Sequence, residues 1–257
     1  MKKILFLLFL VTFLHLNSSY PGAIDEFFAA ENVPEEVQFN YFGAGAIMAE
    51  RPYTGVDDDI IPIPLINAQY QRVYIDYNTL GFIIGENDYL RASVIAKPRL
   101  MGYEADDSND LAGMEDREWS VDGGLGFVAK QDYFTTKANF VTDTLGEHKG
   151  HEATVVVSTE LFKGILVPRC GAKWQSKDLI DYYYGVEPNE VRVNRPAYAG
   201  DDAINYTAGT QIRIPFLEKW VAVLDVEYEH LDDIIKESPI VNQDSTMRYA
   251  GGIVYKF

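Results

Sequence analysis

The reading turns on the last segment, Thr246-Met-Arg-Tyr-Ala-Gly-Gly-Ile-Val-Tyr-Lys-Phe257. Its side chains split at period two. Met247, Tyr249, Gly251, Ile253, Tyr255 and Phe257 share one face of a strand, and Thr246, Arg248, Ala250, Gly252, Val254 and Lys256 share the other. One face suits an apolar surrounding, the other is small or charged, and the chain ends on an aromatic ring. The same split recurs upstream. Trp220, Ala222, Leu224, Val226 and Tyr228 alternate with Val221, Val223, Asp225, Glu227 and Glu229. Ile204, Tyr206, Ala208, Ile212 and Ile214 alternate with Asn205, Thr207, Gly209, Gln211 and Arg213.

A soluble sandwich also alternates, so length and end chemistry decide. These runs reach about ten residues or more, which suits a tilted membrane-crossing strand better than the usual five or six. Trp and Tyr sit near strand ends, where amphipathic rings prefer the headgroup level. At the other terminus Lys2 and Lys3 precede the apolar run Ile4 to Leu16, then the small polar Asn17, Ser18 and Ser19. That order is a secretory signal peptide, too short to span a bilayer as a helix. Cleavage is expected near Ser19, with Ala23 as an alternative. The expected organisation is a signal peptide at 1–19, a periplasmic lead at 20–36 and an outer-membrane barrel at 37–257.

Composition fits this. The chain has 257 residues, 47% of them hydrophobic, with 22 Lys+Arg against 39 Asp+Glu and a net charge of −17. Such acidity excludes nucleic-acid binding, which needs cations to displace counterions. The single Cys170 cannot form an intramolecular disulfide, and no Cys/His spacing suggests zinc.

Barrels of this kind have an even strand number, short periplasmic turns and longer outer loops. Short turns are expected near Phe162–Gly164, Lys130–Asp132, Glu86–Asp88 and Phe216–Lys219. Outer loops are expected at about 51–62, 104–118, 143–150, 177–202 and 232–245. The count reaches the N-terminus as ten strands if Leu65–Gly85 is one long strand interrupted near Tyr77–Thr79. Twelve strands require one further hairpin. The fold class is therefore all-β, a transmembrane antiparallel β-barrel.

Several segments in collinear order resemble the outer-membrane family of MltA-interacting proteins, also known through the porin-like OmpV. They are Arg51-Pro-Tyr-Thr-Gly-Val-Asp-Asp-Asp59, Ile61-Pro-Ile-Pro-Leu65 with Ala68-Gln-Tyr70, and Leu111-Ala-Gly-Met114. Further along come Gly171-Ala-Lys-Trp174, Tyr183-Tyr-Gly-Val186, Ser238-Pro-Ile-Val241 and Tyr255-Lys-Phe257. The positions carrying the match are Pro52, Tyr53, Gly55, Asp57, Pro62, Pro64, Trp174, Tyr183, Gly185, Ser238 and Pro239. Tyr249, Ile253, Tyr255 and Phe257 form the expected C-terminal barrel-assembly signal. The resemblance implies an outer-membrane barrel of a Gram-negative bacterium, surrounded by lipid and lipopolysaccharide. It also implies a non-enzymatic scaffold joining a lytic transglycosylase to a penicillin-binding protein in peptidoglycan growth. Porins and adhesins in the same family give the alternatives.

Candidate chemistry is sparse. Glu147-His-Lys-Gly-His-Glu152 holds two imidazoles, yet without helical spacing it reads as a solvated loop rather than a zinc site. Asp57, Asp58 and Asp59 with Asp106, Asp107 and Asp110 offer oxygen ligands but lack a calcium-loop spacing. Tyr182, Tyr183 and Tyr184 read as a headgroup anchor or a loop core rather than a sugar platform. Asp122 and Glu160 have the residue types of an acid/base pair, but nothing places them together, and no serine sits in a nucleophile elbow. Neither catalytic residues, cofactor nor metal are expected. The informative set is the inward register, Arg91, Lys97, Lys137, Arg169, Lys173, Arg213, Arg248 and Lys256 with Asp122, Glu160, Asp225, Glu227 and Glu229. These charges are expected to pair across a narrow or plugged lumen.

Overall fold

The computed structural model describes residues 38–257. The expected signal peptide and lead, 1–36, lie outside the described residues. The described chain forms one closed antiparallel barrel of twelve strands. The first four are β1 (Gln38–Ala49), β2 (Asp59–Tyr70), β3 (Val73–Asp76) and β4 (Thr79–Glu86). Next come β5 (Leu90–Arg99), β6 (Ser120–Lys130), β7 (Thr135–Asp143) and β8 (His151–Ser158). The last four are β9 (Leu166–Gln175), β10 (Ala203–Pro215), β11 (Trp220–His230) and β12 (Ser245–Lys256). Each strand pairs with its sequence neighbours, and β1 closes on β12 with Tyr41 opposite Lys256 and Ala49 opposite Arg248.

The strand count is therefore twelve rather than ten. The expected single strand Leu65–Gly85 is the end of β2 followed by a hairpin. One two-residue turn, Gln71-Arg72, joins the paired Tyr70 and Val73, and a second, Tyr77-Asn78, joins the paired Asp76 and Thr79. Gln71 and Tyr77 take φ of 51° and 54°. Two-residue hairpins require such angles and usually fill them with Asn or Gly. Glutamine and tyrosine in those places hide both turns. The first loop is also shorter than expected, 50–58 rather than 51–62, because β2 begins at Asp59 and takes in Pro62 and Pro64.

The period-two faces separate as the sequence indicates. Phe42, Phe82, Val94, Phe140, Leu224 and Ile253 project outward and are exposed, as they would be against lipid. Short turns lie at one end and long loops at the other. The loop end carries two helices, α1 (Lys177–Tyr184) and α2 (Asp233–Lys236).

At 4 residues, β3 falls well short of the roughly 9–11 that a tilted crossing uses. The β3–β4 hairpin accordingly pairs only with Asn67–Tyr70 of β2, at the short-turn end. Its tip leans into the barrel. The Tyr77 ring lies 5.9 Å from that of Tyr41, and the Tyr77 hydroxyl accepts a hydrogen bond from Gln211 Nε2 at 3.2 Å.

Closure rests on small inward residues. A Cβ on Gly43 would run into the Ile253 carbonyl, and one on Gly252 into that of Ala44. Strands about 4.8 Å apart leave no room for either group to move away. Gly43→Val is expected to reduce the folded fraction sharply, read as loss of the heat-dependent mobility shift on gels. Ala44→Val, on the exposed face, should fold like the parent protein.

Candidate functional site

The loop end carries a hydrophobic core of its own. Tyr53, Tyr103, Leu111, Met114, Leu179, Ile180, Tyr183, Tyr184, Ile235 and Ile240 are buried together, although they come from four different loops. Amphipathic α1 brings Leu179, Ile180, Tyr183 and Tyr184 to this core, and Gly185 closes the helix by donating its N–H to the Asp181 carbonyl. Tyr53 packs edge-on against Tyr103 at 4.7 Å and tilts toward Tyr184 at 5.8 Å. Polar pins hold the loops together. Arg117 meets Glu190 at 2.9 Å, and Arg195 donates to the carbonyls of Asp110, Ala112 and Glu190. Ser238 Oγ donates to the Tyr184 carbonyl at 2.6 Å.

Directly inside this cap lies a buried charge cluster. The Arg99 guanidinium donates from Nε and Nη2 to Asp122 Oδ2 at 2.8 and 2.6 Å, and from Nη2 to Glu152 Oε2 at 2.9 Å. Lys97 Nζ reaches the other Glu152 oxygen at 3.0 Å. His148 Nδ1 accepts from the Gly150 N–H, which leaves Nε2 to donate to Asp122 Oδ1 at 3.0 Å. Asp122, Arg99, Glu152 and His148 are all buried, so each charge depends on its partners.

Toward the short-turn end the inward register continues as ion pairs. Lys173 binds Glu229 at 2.7 Å, and Arg169 forks onto Asp225 at 2.8 Å while also reaching Glu227. Arg248 joins Glu227 at 2.9 Å, and Arg213 joins Glu160 at 3.0 Å. Arg91 pairs with Glu86, and Lys137 lies 3.5 Å from Asp76 across the interior. The expected pairing of luminal charges is thus present, with Lys137, Glu160 and Lys256 exposed. Asp122 and Glu160 sit at opposite ends of the barrel, each held by an arginine.

The family-matching positions divide into two sets. The cap gathers Tyr53, Tyr183, Gly185 and Ser238. Pro52 joins them through its carbonyl, which accepts from Asn242 N–H. Gly55 joins with φ of 72° against Ser108 and Asp110. Asp57 is exposed, Pro239 half-buried beside Ser238, Trp174 on the outward face near the loop end of β9, and Pro62 and Pro64 on the exposed face of β2. At the short-turn rim Tyr255 stacks edge-on with Trp220 at 5.2 Å and Phe257 at 5.1 Å, beneath the Lys219 ammonium. Tyr249 and Ile253 continue this outward row.

Tyr183 and Tyr184 are loop core, whereas Tyr182 is half-buried and its hydroxyl oxygen accepts from the Glu118 N–H. His148 lies on the β7–β8 loop but is buried rather than solvated, and Glu152 is the second residue of β8. Asp59 and Asp107 are both bound by Arg51. Among the described residues, no group of three or more His, Cys, Asp or Glu is arranged to hold a metal ion. Sequence reasoning missed Arg99, Glu190 and Arg195, and placed Glu152 on a solvated loop. Arg99 alone carried a signal, since it continues the inward parity of Arg91 and Lys97.

The sequence family described as MltA-interacting protein MipA matches residues 42–257. The chain belongs to the MltA-interacting protein family. It is 26% identical over 220 residues to the MltA-interacting protein of Escherichia coli, covering 84% of this chain and 89% of that one. It is 29% identical over 186 residues to the outer membrane protein OmpV of Vibrio cholerae, covering 72% and 70%. Among solved structures, the outer membrane channel DcaP of Acinetobacter baumannii superposes with a TM-score of 0.42 at 8% identity, covering 86% of this chain and 97% of that one. This member of the family is an outer-membrane barrel, and its long loops lie outside, by the general rule for such barrels.

Two outcomes follow for the cap and the cluster. Arg99→Met leaves Asp122 buried without its arginine and Glu152 with Lys97 alone, and should cost about 3–5 kcal/mol in denaturant unfolding from detergent micelles. Adding Asp122→Asn and Glu152→Gln should recover part of that loss. Burial also pushes the phenols of Tyr53, Tyr183 and Tyr184 above their ordinary value. A raised folded pKa gives stability that is full below the unfolded value of about 10 and lost as pH rises through the folded one. Near-ultraviolet circular dichroism should therefore report cap loosening above about pH 10, with the far-ultraviolet strand signal retained.

Proposed function

We propose that the protein is a non-enzymatic scaffold that holds peptidoglycan-remodelling and peptidoglycan-synthesising enzymes at the outer membrane. The observation that carries this reading is the interior: ion pairs line it beneath a packed cap, a poor arrangement for a wide pore. Support for a partner comes from the Escherichia coli relative, whose name describes it as interacting with MltA. The periplasmic rim supplies the binding face. Its turns expose Tyr133 at 77%, Phe162 at 73% and Leu217 at 61%, beside Asp132, Glu160 and Glu218. Buried aromatic anchors of this type dominate binding energy at protein interfaces.

A small-solute channel is the second reading, favoured by cavities of about 640 Å³ at the outer end and 390 Å³ at the periplasmic end. Pull-down from detergent extracts should recover a lytic transglycosylase or a penicillin-binding protein. Phe162→Ser with Leu217→Ser should cut that recovery about tenfold, the loss of roughly 1.4 kcal/mol. Recovery of neither enzyme by a folded barrel, together with rapid liposome swelling, would favour the channel instead.

A further inference from the structure

The barrel wall is incomplete on one side. Above the β3–β4 hairpin, on the outer-leaflet side, no described strand pairs with Asp59–Leu65 of β2 on the edge away from β1. Across the gap, β4 pairs with β5 only as far as Ala96, which leaves Lys97, Pro98 and Arg99 unpaired on that edge. The open stretch of β2 runs for about 20 Å at roughly 3.3 Å per residue.

Both edges are chemically adapted to having no partner. Backbone groups of alternate residues point to alternate neighbours in an antiparallel sheet. The Ile66 carbonyl accepts from Tyr77 N–H, so the even positions of β2 aim toward the hairpin side. Pro62 and Pro64 therefore remove two donors from the open edge. On the other edge, Pro98 faces Val121, whose carbonyl accepts from Thr144 N–H on the far side of β6. Pro98 thus also aims at the gap. Unpaired N–H groups facing hydrocarbon cost several kcal/mol each, and proline in a sheet is confined to such edges.

Behind the gap the interior changes character. The odd positions of β2, Ile61, Ile63 and Leu65, face inward, and Leu65 packs with Val221 and Val254 in an apolar patch. A cavity of about 430 Å³ joins this patch to both rims of the gap, touching Pro64 on one side and Leu100 on the other, with Tyr77 below and the charged Lys137, Arg169, Asp225 and Arg248 on its far wall. Its volume lies in the ~300–1,000 Å³ range of small-molecule sites. Ile60, Leu80 and Leu100 on the rim are exposed toward lipid.

We infer that this gap is a lateral entrance through which the alkyl chain of a membrane amphiphile passes from the outer leaflet onto the apolar patch behind the gap. The hairpin tip, with Tyr77 bridged to Gln211, forms its floor, and the prolines keep its edges from pairing. The inference is independent of the scaffold reading.

Photolabelling tests it, because alternation makes inward and outward adducts distinguishable by residue. The wild-type barrel is placed in phospholipid nanodiscs with either dodecanoate or a phosphatidylethanolamine carrying a diazirine at the chain end, irradiated and mapped by peptide mass spectrometry. Adducts at Ile63, Leu65 or Val223 are expected. Their appearance with the phospholipid identifies a lipid tail as the guest, and with dodecanoate alone a free amphiphile. Ile63→Trp, which fills the cavity, should lower inward labelling at least fivefold and leave Ile60 and Leu224 unchanged; Leu100→Trp gives the same test from the other rim. Adducts confined to outward positions such as Ile60 and Leu224 with both probes would overturn the inference.

Discussion

Arg99 stands at the top of β5, where its guanidinium binds Asp122 of β6 and Glu152 of β8 inside the barrel. Removing three ions from water is expensive and is offset only when geometry and hydrogen bonding satisfy all of them. Here Lys97, His148 and Gln175 complete the set. Because Gly150 and His148 belong to the loop between β7 and β8, the cluster also fixes the lower surface on which the outer cap rests. The cap in turn excludes water from the cluster, so loop core and ion network depend on each other.

That dependence explains how a twelve-stranded barrel can carry a nearly balanced interior while the protein as a whole is strongly acidic. The luminal acids have partners on neighbouring or facing strands. Unpaired negative charge such as Asp57, Asp58 and Asp106 is left on the outer loops, exposed to water. The wall is not uniform, however. Between β2 and β5 a short hairpin turns its tip inward, and an apolar patch of Leu65, Val221 and Val254 lies there beside the ion pairs of Arg169 and Arg248.

Much of this was legible in the sequence. Alternation gave the membrane-facing and luminal faces, from Leu224 and Ile253 outward to Asp225 and Arg248 inward, and loop length gave the polarity of the barrel. The hairpin was not legible, because Gln71 and Tyr77 occupy angles normally marked by Asn or Gly. Pro62 and Pro64 were read as a family motif, and their meaning as edge residues emerges only once β2 is seen to lack a neighbour. The cap was partly visible: Tyr183 and Tyr184 read as loop core, but joining them to Tyr53 and Ile240 requires long-range packing that no local pattern encodes. His148 and Glu152 read as a solvated loop because their partners, Asp122 and Arg99, are distant in sequence and meet them only after closure.

The central claim is that ion pairs and the packed cap close the lumen to bulk ion flow. Planar-bilayer recording of the purified, folded barrel tests it most directly. The account predicts no large, stable conductance steps; large and long-lived steps from the wild-type protein would contradict it.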